Sequence, residues 1–200
     1  MASVDTIQNN WQGPTYATPG VSDEIFTTDL VNHIKKNYCI DSKRVYATGH
    51  SNGGGFVGTL ACSRKHGGQF AAFAPVAGAY YTDFRGNGNC SLSRSPLPLL
   101  EMHGGADPTV PYTPVADGRG GPLPAILEWL GRWAERNRCG ESTIRDYPGG
   151  VHHFLWKCKG RRGVLQHWKI DGHNHSWPGL SSGVDISPVI IKFFDSHVKP

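Results

Sequence analysis

The amino-acid sequence predicts an α/β fold: a mostly parallel sheet carrying helices on both faces. Three observations point to it. Candidate strands alternate with segments of helical periodicity throughout the chain. The stretch "FAAFAPVAGAY", residues 70–80, is apolar and bounded by glycines, as expected of a strand covered on both faces. The stretch "SPLPLLEMHGGADPTVPY" repeats the theme, residues 97–102 leading into a polar loop at what would be a strand's carboxyl end, where parallel sheets gather their functional groups. Two hundred residues suit one domain, 1–200, large enough to bury a core.

The elements follow in order. Residues 22–38, "SDEIFTTDLVNHIKKNY", space Phe26, Leu30, Ile34 and Tyr38 four apart, with acids in the first turn and lysines in the last, which predicts an amphipathic helix. "IDSKR" is a turn whose Asp and Ser side chains can bond their own backbone, and residues 45–48 suit a short buried strand. After Gly53, Phe56, Val57, Leu60 and Ala61 fall at helical spacing. Residues 82–95 are a Gly-, Asn- and Ser-rich loop. Residues 125–137 form a helix with Ile126, Leu130, Trp133 and Ala134 on one face. Residues 144–147 and 164–170 read as strands, with 152–156 as a further candidate. "SPVIIKFFDSHV" opens with a Ser cap and Pro at the first helical position, then buries Ile190, Ile191 and Phe194.

Composition excludes several classes. With 38% hydrophobic residues, six Trp, seven Tyr, eight Phe and 18% charged residues, the chain has apolar area to fold and too little charge for disorder. The net charge of +4 is scattered, with "KGRR" at 159–162 as its one cluster, so nucleic acid is not an expected partner. No window reaches the eighteen or so apolar residues of a membrane span. Five cysteines, Cys39, Cys62, Cys90, Cys139 and Cys158, lack zinc spacing and read as disulfides plus one leftover thiol, which implies an oxidising compartment. Cys139 with Cys158 is the pairing that the helix-to-strand order favours. "MASVDTIQNNWQ" has no charged start or apolar core of a signal peptide.

The chemistry centres on "VYATGHSNGGG". G-x-S-x-G, here Gly49, His50, Ser51, Asn52 and Gly53, suits a strained strand-to-helix turn that projects the serine hydroxyl while small neighbours let the backbone pass. A strand before it and a helix after it meet that requirement. A serine hydroxyl needs a base to take its proton and a carboxylate to orient the base. Acid then base should follow it along the chain. Asp107, at a strand end, is the acid, preferred over Asp83, Asp117, Asp146, Asp171 and Asp185. His173 and His175 in "DGHNHSWPG" both fit the base by order. A metal reading of this His-x-His pair, with His152 and His153, lacks obvious further ligands.

"YCIDSKRVYATGHSNGGG", "LACSRKHGGQFAAFAPVAG", "LLEMHGGADPTVPY" and "HSWPG" together resemble the polyhydroxybutyrate depolymerase and feruloyl esterase group of secreted α/β-hydrolases, especially the fungal feruloyl esterases. The resemblance implies the α/β-hydrolase fold and a triad of Ser51, Asp107 and His175, His175 being separated from His173 by the Trp177 and Pro178 that follow it. It implies ester hydrolysis through an acyl-enzyme, with the backbone N–H of Asn52 as one oxyanion donor. A feruloyl ester on arabinoxylan is the implied substrate, with Trp177, Tyr112 and Tyr81 as stacking surfaces. No cofactor, metal, nucleic-acid or membrane partner is expected, and the protein is expected to be a secreted monomer. Acetylxylan esterase and polyhydroxybutyrate depolymerase are the near alternatives. The family's His-Gly-rich loop before the nucleophile, which supplies the second oxyanion donor, has no match upstream. A chain short of its N-terminal strands and signal peptide is therefore expected, with a rate lowered by roughly 10²- to 10³-fold. A catalytically impaired remnant or a carbohydrate-binding protein is the alternative of another class.

Overall fold

The computed structural model describes residues 10–86 and 90–200. Residues 1–9, most of the stretch read for a signal peptide, and 87–89, within the Gly- and Asn-rich loop, lie outside the described residues.

Helix α1 (Asp23–Asn37) starts where Ser22 Oγ accepts the Ile25 N–H, satisfying one of the donors a helix start leaves unpaired. Asp23 is buried because it is cross-linked to Gln12: its carboxylate accepts the Gln12 N–H at 2.5 Å and its own N–H donates to Gln12 Oε1 at 2.7 Å. The stripe of Phe26, Leu30, Ile34 and Tyr38 does not become a buried face. Phe26 and Tyr38 are 37% and 66% exposed, and Val31 is the apolar residue that the helix buries. The cause is position: α1 packs beside α3 (Arg64–Gly67) through Thr28 Oγ1 and His66 Nδ1, 2.8 Å apart.

The sheet runs β1-β2-β3-β6-β5-β4. Strands β1 (Tyr46–His50), β2 (Ala72–Val76), β3 (Leu99–Gly104) and β6 (Arg161–Ile170) are parallel, while β5 (Val151–Cys158) and β4 (Cys139–Tyr147) add antiparallel. The sheet is thus mostly parallel, but strand and helix stop alternating after α4 (Ile126–Arg136). Three strands follow one another there, turning at Gly149 and Gly150 and again at Lys159 and Gly160, all with positive φ. Connections this short allow only antiparallel neighbours, because a parallel crossover needs a dozen or more residues.

Side chains alternate across the sheet into two cores. Phe73, Leu99 and Leu165 pack with α2 (Asn52–Ala61) and with Trp129 and Trp133 of α4 on one face. Leu100, Met102 and Ile170 pack with α5 (Ile186–Asp195) on the other. Two expectations need correction here. The run 70–80 is strand only over β2, because Ala77 takes a left-handed φ of 47° and residues 77–80 pass on as buried irregular backbone. In α5 the cap is Asp185, whose carboxylate accepts the Ser187 N–H at 3.0 Å, and Phe193 is buried while Ile191 is 59% exposed. Ile186, Ile190, Phe193 and Phe194 share the buried face at helical spacing, and Ile191 falls outside it.

Cys139 and Cys158, partners across β4 and β5, form one disulfide; Cys62 and Cys90 form the other, and Cys39 is an exposed free thiol. No helix among the described residues is long and apolar enough to cross a membrane. A Cβ at Gly131 in α4 would meet nothing within 4 Å, whereas one at Gly55 in α2 would lie 2.0 Å from the Ala79 carbonyl oxygen. Gly131→Ala is therefore expected to raise stability by about 1 kcal/mol through helix propensity, and Gly55→Ala to lower it by about 2 to 3 kcal/mol through overpacking. Urea denaturation of the two variants beside the parent reads both signs.

Candidate active site

Ser51 sits between the end of β1 and the first residue of α2, with φ 58° and ψ −122°. This conformation costs a non-glycine residue on the order of 1–3 kcal/mol, so its surroundings must enforce it. They do so by hydrogen bonds: the Ser51 N–H donates to the Val76 carbonyl at 3.0 Å, and the Ser51 carbonyl accepts from Gly55 at 3.0 Å and Ala79 at 3.1 Å. Three glycines make room. A Cβ at Gly49 would lie 2.6 Å from the Gly53 oxygen, one at Gly54 2.8 Å from the Val76 oxygen, and one at Gly55 against Ala79. At Gly53 a Cβ would make only ordinary contact, 3.6 Å from the Trp11 ring nitrogen. The steric demand thus falls on the glycine before the serine and on two beyond the motif.

Asp107 follows β3 in a turn that its own carboxylate closes. Oδ1 accepts the N–H groups of Thr109 and Val110 at 2.8 and 2.9 Å, and Oδ2 accepts the Nδ1–H of His175 at 2.7 Å. Burial pushes this carboxyl upward, but the His175 hydrogen bond and the Val110 and Thr109 amides outweigh it and hold the pKa below the usual value. His175 lies in the loop after β6, its Nε2 2.7 Å from Ser51 Oγ. Serine, imidazole and carboxylate, separated by 124 and 68 residues, are thus joined by two short hydrogen bonds. His173 points elsewhere, donating from Nε2 to the Ser176 carbonyl at 2.9 Å.

The rival carboxylates have other partners. Asp83 is paired with Arg136, Asp146 and Asp171 flank His152, Asp185 caps α5, and Asp117 is exposed. His153 stacks on Trp168 and bonds Gln166. Among the described residues no group of three or more His, Cys, Asp or Glu is arranged to hold a metal ion.

His50 is a residue of the site that sequence reasoning did not single out. Its Nε2–H donates to the His175 carbonyl at 2.7 Å, tying the loop of one imidazole to the strand that carries the serine. Burial and the neighbouring His175 hold its pKa down, so it stays a neutral donor. The G-x-S-x-G pattern contains this histidine, but only the fold brings it to residue 175.

A cavity of about 330 Å³ opens beside Ser51 and Asn52, walled by Ala79, Val110 and Leu123 and edged by Tyr16, Tyr81 and Arg119. Burial, then the adjacent Tyr16, pushes the Tyr81 phenol up to about 12. Asn52 opens α2, so its backbone N–H has no carbonyl within the helix to bond; its side chain is held by the Trp11 backbone at 2.7 and 3.1 Å. Trp177 lies by the triad with its ring 6.3 Å from that of His50, 40% exposed, its Nε1–H donating to Ser187 Oγ. Tyr112 is placed differently: its hydroxyl reaches His167 Nε2 at 2.9 Å, inside the sheet's core, and it does not line this cavity.

No family model matches the chain. It is 30% identical over 142 residues to "Feruloyl esterase B" of Piromyces equi, a match covering 69% of this chain and 26% of that protein. It is 26% identical to "Probable feruloyl esterase C" of Aspergillus clavatus over 94% of this chain and 62% of the relative. It is also 26% identical to "Poly(3-hydroxyalkanoate) depolymerase C" of Paucimonas lemoignei, over 84% and 44% respectively. The chain thus spans between about a quarter and three fifths of the length of these relatives. By strand order, by the elbow that carries Ser51 and by these similarities, the chain has the α/β-hydrolase fold and is related to the fungal feruloyl esterases and the poly(3-hydroxyalkanoate) depolymerases.

Proposed function

We propose that the chain is a serine carboxylic-ester hydrolase acting on feruloyl or other hydroxycinnamoyl esters of plant cell-wall xylan through an acyl-enzyme. The observation that carries this is the unbroken line from Asp107 through His175 to Ser51, 2.7 Å at each step. His175 takes the Ser51 proton as the oxygen attacks the ester carbonyl, and Asp107 holds the ring in the tautomer that presents Nε2 to the serine. The same imidazole then protonates the leaving alkoxide, and water repeats the sequence to release the acid. The Asn52 N–H, at the positive end of α2, is the donor aimed at the oxyanion.

The cavity beside Ser51 is the acyl site in this scheme. Its volume of about 330 Å³ is at the small end of ligand pockets, and its apolar walls and tyrosine edge suit a planar aryl acyl group. Tyr81 lines it, and Trp177 offers an exposed ring near the triad for the sugar side. The two disulfides fit a secreted protein. A relative named for poly(3-hydroxyalkanoate) depolymerisation keeps short hydroxyacyl esters as the second choice, with acetylated xylan beside it.

Ser51→Ala is expected to lower kcat for methyl ferulate by at least about 10⁴-fold, since it removes the nucleophile; turnover retained within tenfold would rule the proposal out. Measured side by side, kcat/KM is expected to be highest for feruloyl esters, and a preference for acetyl or hydroxybutyryl esters would transfer the assignment to those substrates. Gly49→Ala should abolish Ser51 labelling by a fluorophosphonate, whereas Gly53→Ala should leave the labelling rate within a few-fold of the parent.

A further inference from the structure

One group of titratable side chains lies outside this scheme. Glu101 and His103 on β3 and His167 on β6 are fully buried. Glu101 is in register with His167 across the two strands, and His103 follows on the same face two residues on. Glu101 Oε1 accepts from His103 Nδ1 at 3.0 Å and from the Tyr80 hydroxyl at 3.2 Å, while Oε2 lies 2.6 Å from His167 Nδ1. The other nitrogen of His103 faces the Val110 carbonyl at 2.8 Å and Asp107 Oδ2 at 3.5 Å.

Both ring nitrogens of His103 therefore meet oxygens that accept hydrogen bonds, a setting satisfied when both carry protons. A carboxylate that accepts from His103 and Tyr80 and has the His167 ring nitrogen 2.6 Å away is the counter-charge that lets such a cation stay buried. We propose that His103 is a positioning residue for the reaction at Ser51, a buried imidazolium kept charged by Glu101 that fixes the 107–110 turn and so orients the Asp107 carboxylate behind His175. Val110 is the link, because its carbonyl accepts from His103 while its N–H donates to Asp107 Oδ1. Burial alone would drive His103 towards neutrality, but the hydrogen bond and charge of Glu101, with the Val110 carbonyl and Asp107, raise its pKa above the ordinary value. Glu101 is held low against its own burial by His167 and His103.

The groups facing this cluster are consistent with that assignment. Tyr80 is held neutral, burial and then Glu101 driving its phenol far up. Tyr112, raised by burial and by Glu101 and Asp171, is neutral too, with Lys169 Nζ 5.1 Å over its ring. On the triad side, the His50 and His175 rings lie 4.8 Å apart, and burial, His175 and, more weakly, the His103 charge hold the His50 pKa down.

The role in catalysis rests on the serine-hydrolase assignment, but the charge of His103 can be read without turnover. ¹⁵N spectra of histidine-labelled protein, full chain, are expected to show both ring nitrogens of His103 protonated and unchanged from pH 5 to 9. A neutral tautomer at pH 8 would overturn the proposal. Glu101→Gln should bring that signal into titration within the same range, and its absence from titration would count against Glu101 as the counter-ion. In His103→Gln the cation that holds the 107–110 turn is gone, so kcat is expected to fall about tenfold with KM unchanged, because His103 does not line the cavity. A folded His103→Gln protein with the parent's kcat would overturn the positioning role. Loss of the hydrolase assignment is a separate result, reported by Ser51→Ala and leaving the spectra as they are.

Discussion

The architecture depends on one backbone residue being held where it would not rest alone. Ser51 is in a left-handed conformation only because β1 ends against β2, the 77–79 backbone turns beneath it, and α2 begins at once. Its N–H and C=O are each committed to a neighbouring element. The second non-glycine residue with positive φ in this region, Ala77, belongs to the same device: its N–H donates to the Met102 carbonyl at 2.7 Å, so β3 as well as β2 supports the elbow. Two strained residues together cost several kcal/mol by ordinary scales. That cost is offset by the packing of α2 on the sheet, where its glycines bring backbone to backbone and its Phe56, Val57 and Leu60 enter the core.

The second theme is how the interior handles charge. Glu101, His103 and His167 lie in the face that also carries Leu99 and Leu165, and each meets a partner within 3.0 Å. Asp83 is neutralised by a two-pronged Arg136 at 2.6 and 2.7 Å, and that arginine also lies over the Trp133 ring. Paired in this way, buried charges orient loops while avoiding the desolvation cost of lone ones. The distal hairpin extends the sheet away from the elbow, and its outermost strand, β4, is mostly solvent-exposed and stapled to β5 through Cys139 and Cys158.

Much of the fold was legible because the relevant physics is local. Capping and end charges marked α1 to within a residue, the β-branched and aromatic run before the serine marked β1, and the order of acid and imidazole pointed to Asp107 and a choice between His173 and His175. As an edge strand, β1 buries only Ala47 and is not the buried strand expected. Where the sequence misled, a tertiary contact decided. Residues 70–80 look uniformly apolar, but burial under α2 explains their composition as well as a strand does, so periodicity could not locate the turn at Ala77. The stripe on α1 satisfies helical spacing, yet a helix packed beside the single turn of α3 has little to bury it against. His50 and Glu101 gave no usable signal, one being a variable letter of a motif and the other a polar residue in an apolar run.

By itself the sequence determined most of the helices and strands, the sharp serine turn and the set of residues able to act as nucleophile, acid and base, because propensity, steric tolerance and side-chain chemistry operate over a few neighbouring positions. Only the tertiary structure decided which imidazole meets the serine, which glycines are sterically required, which aromatic rings line the cavity and which carboxylates are spent on other partners. Those outcomes depend on distances between residues up to 125 positions apart, which follow from how the strands are ordered and packed and from no local pattern.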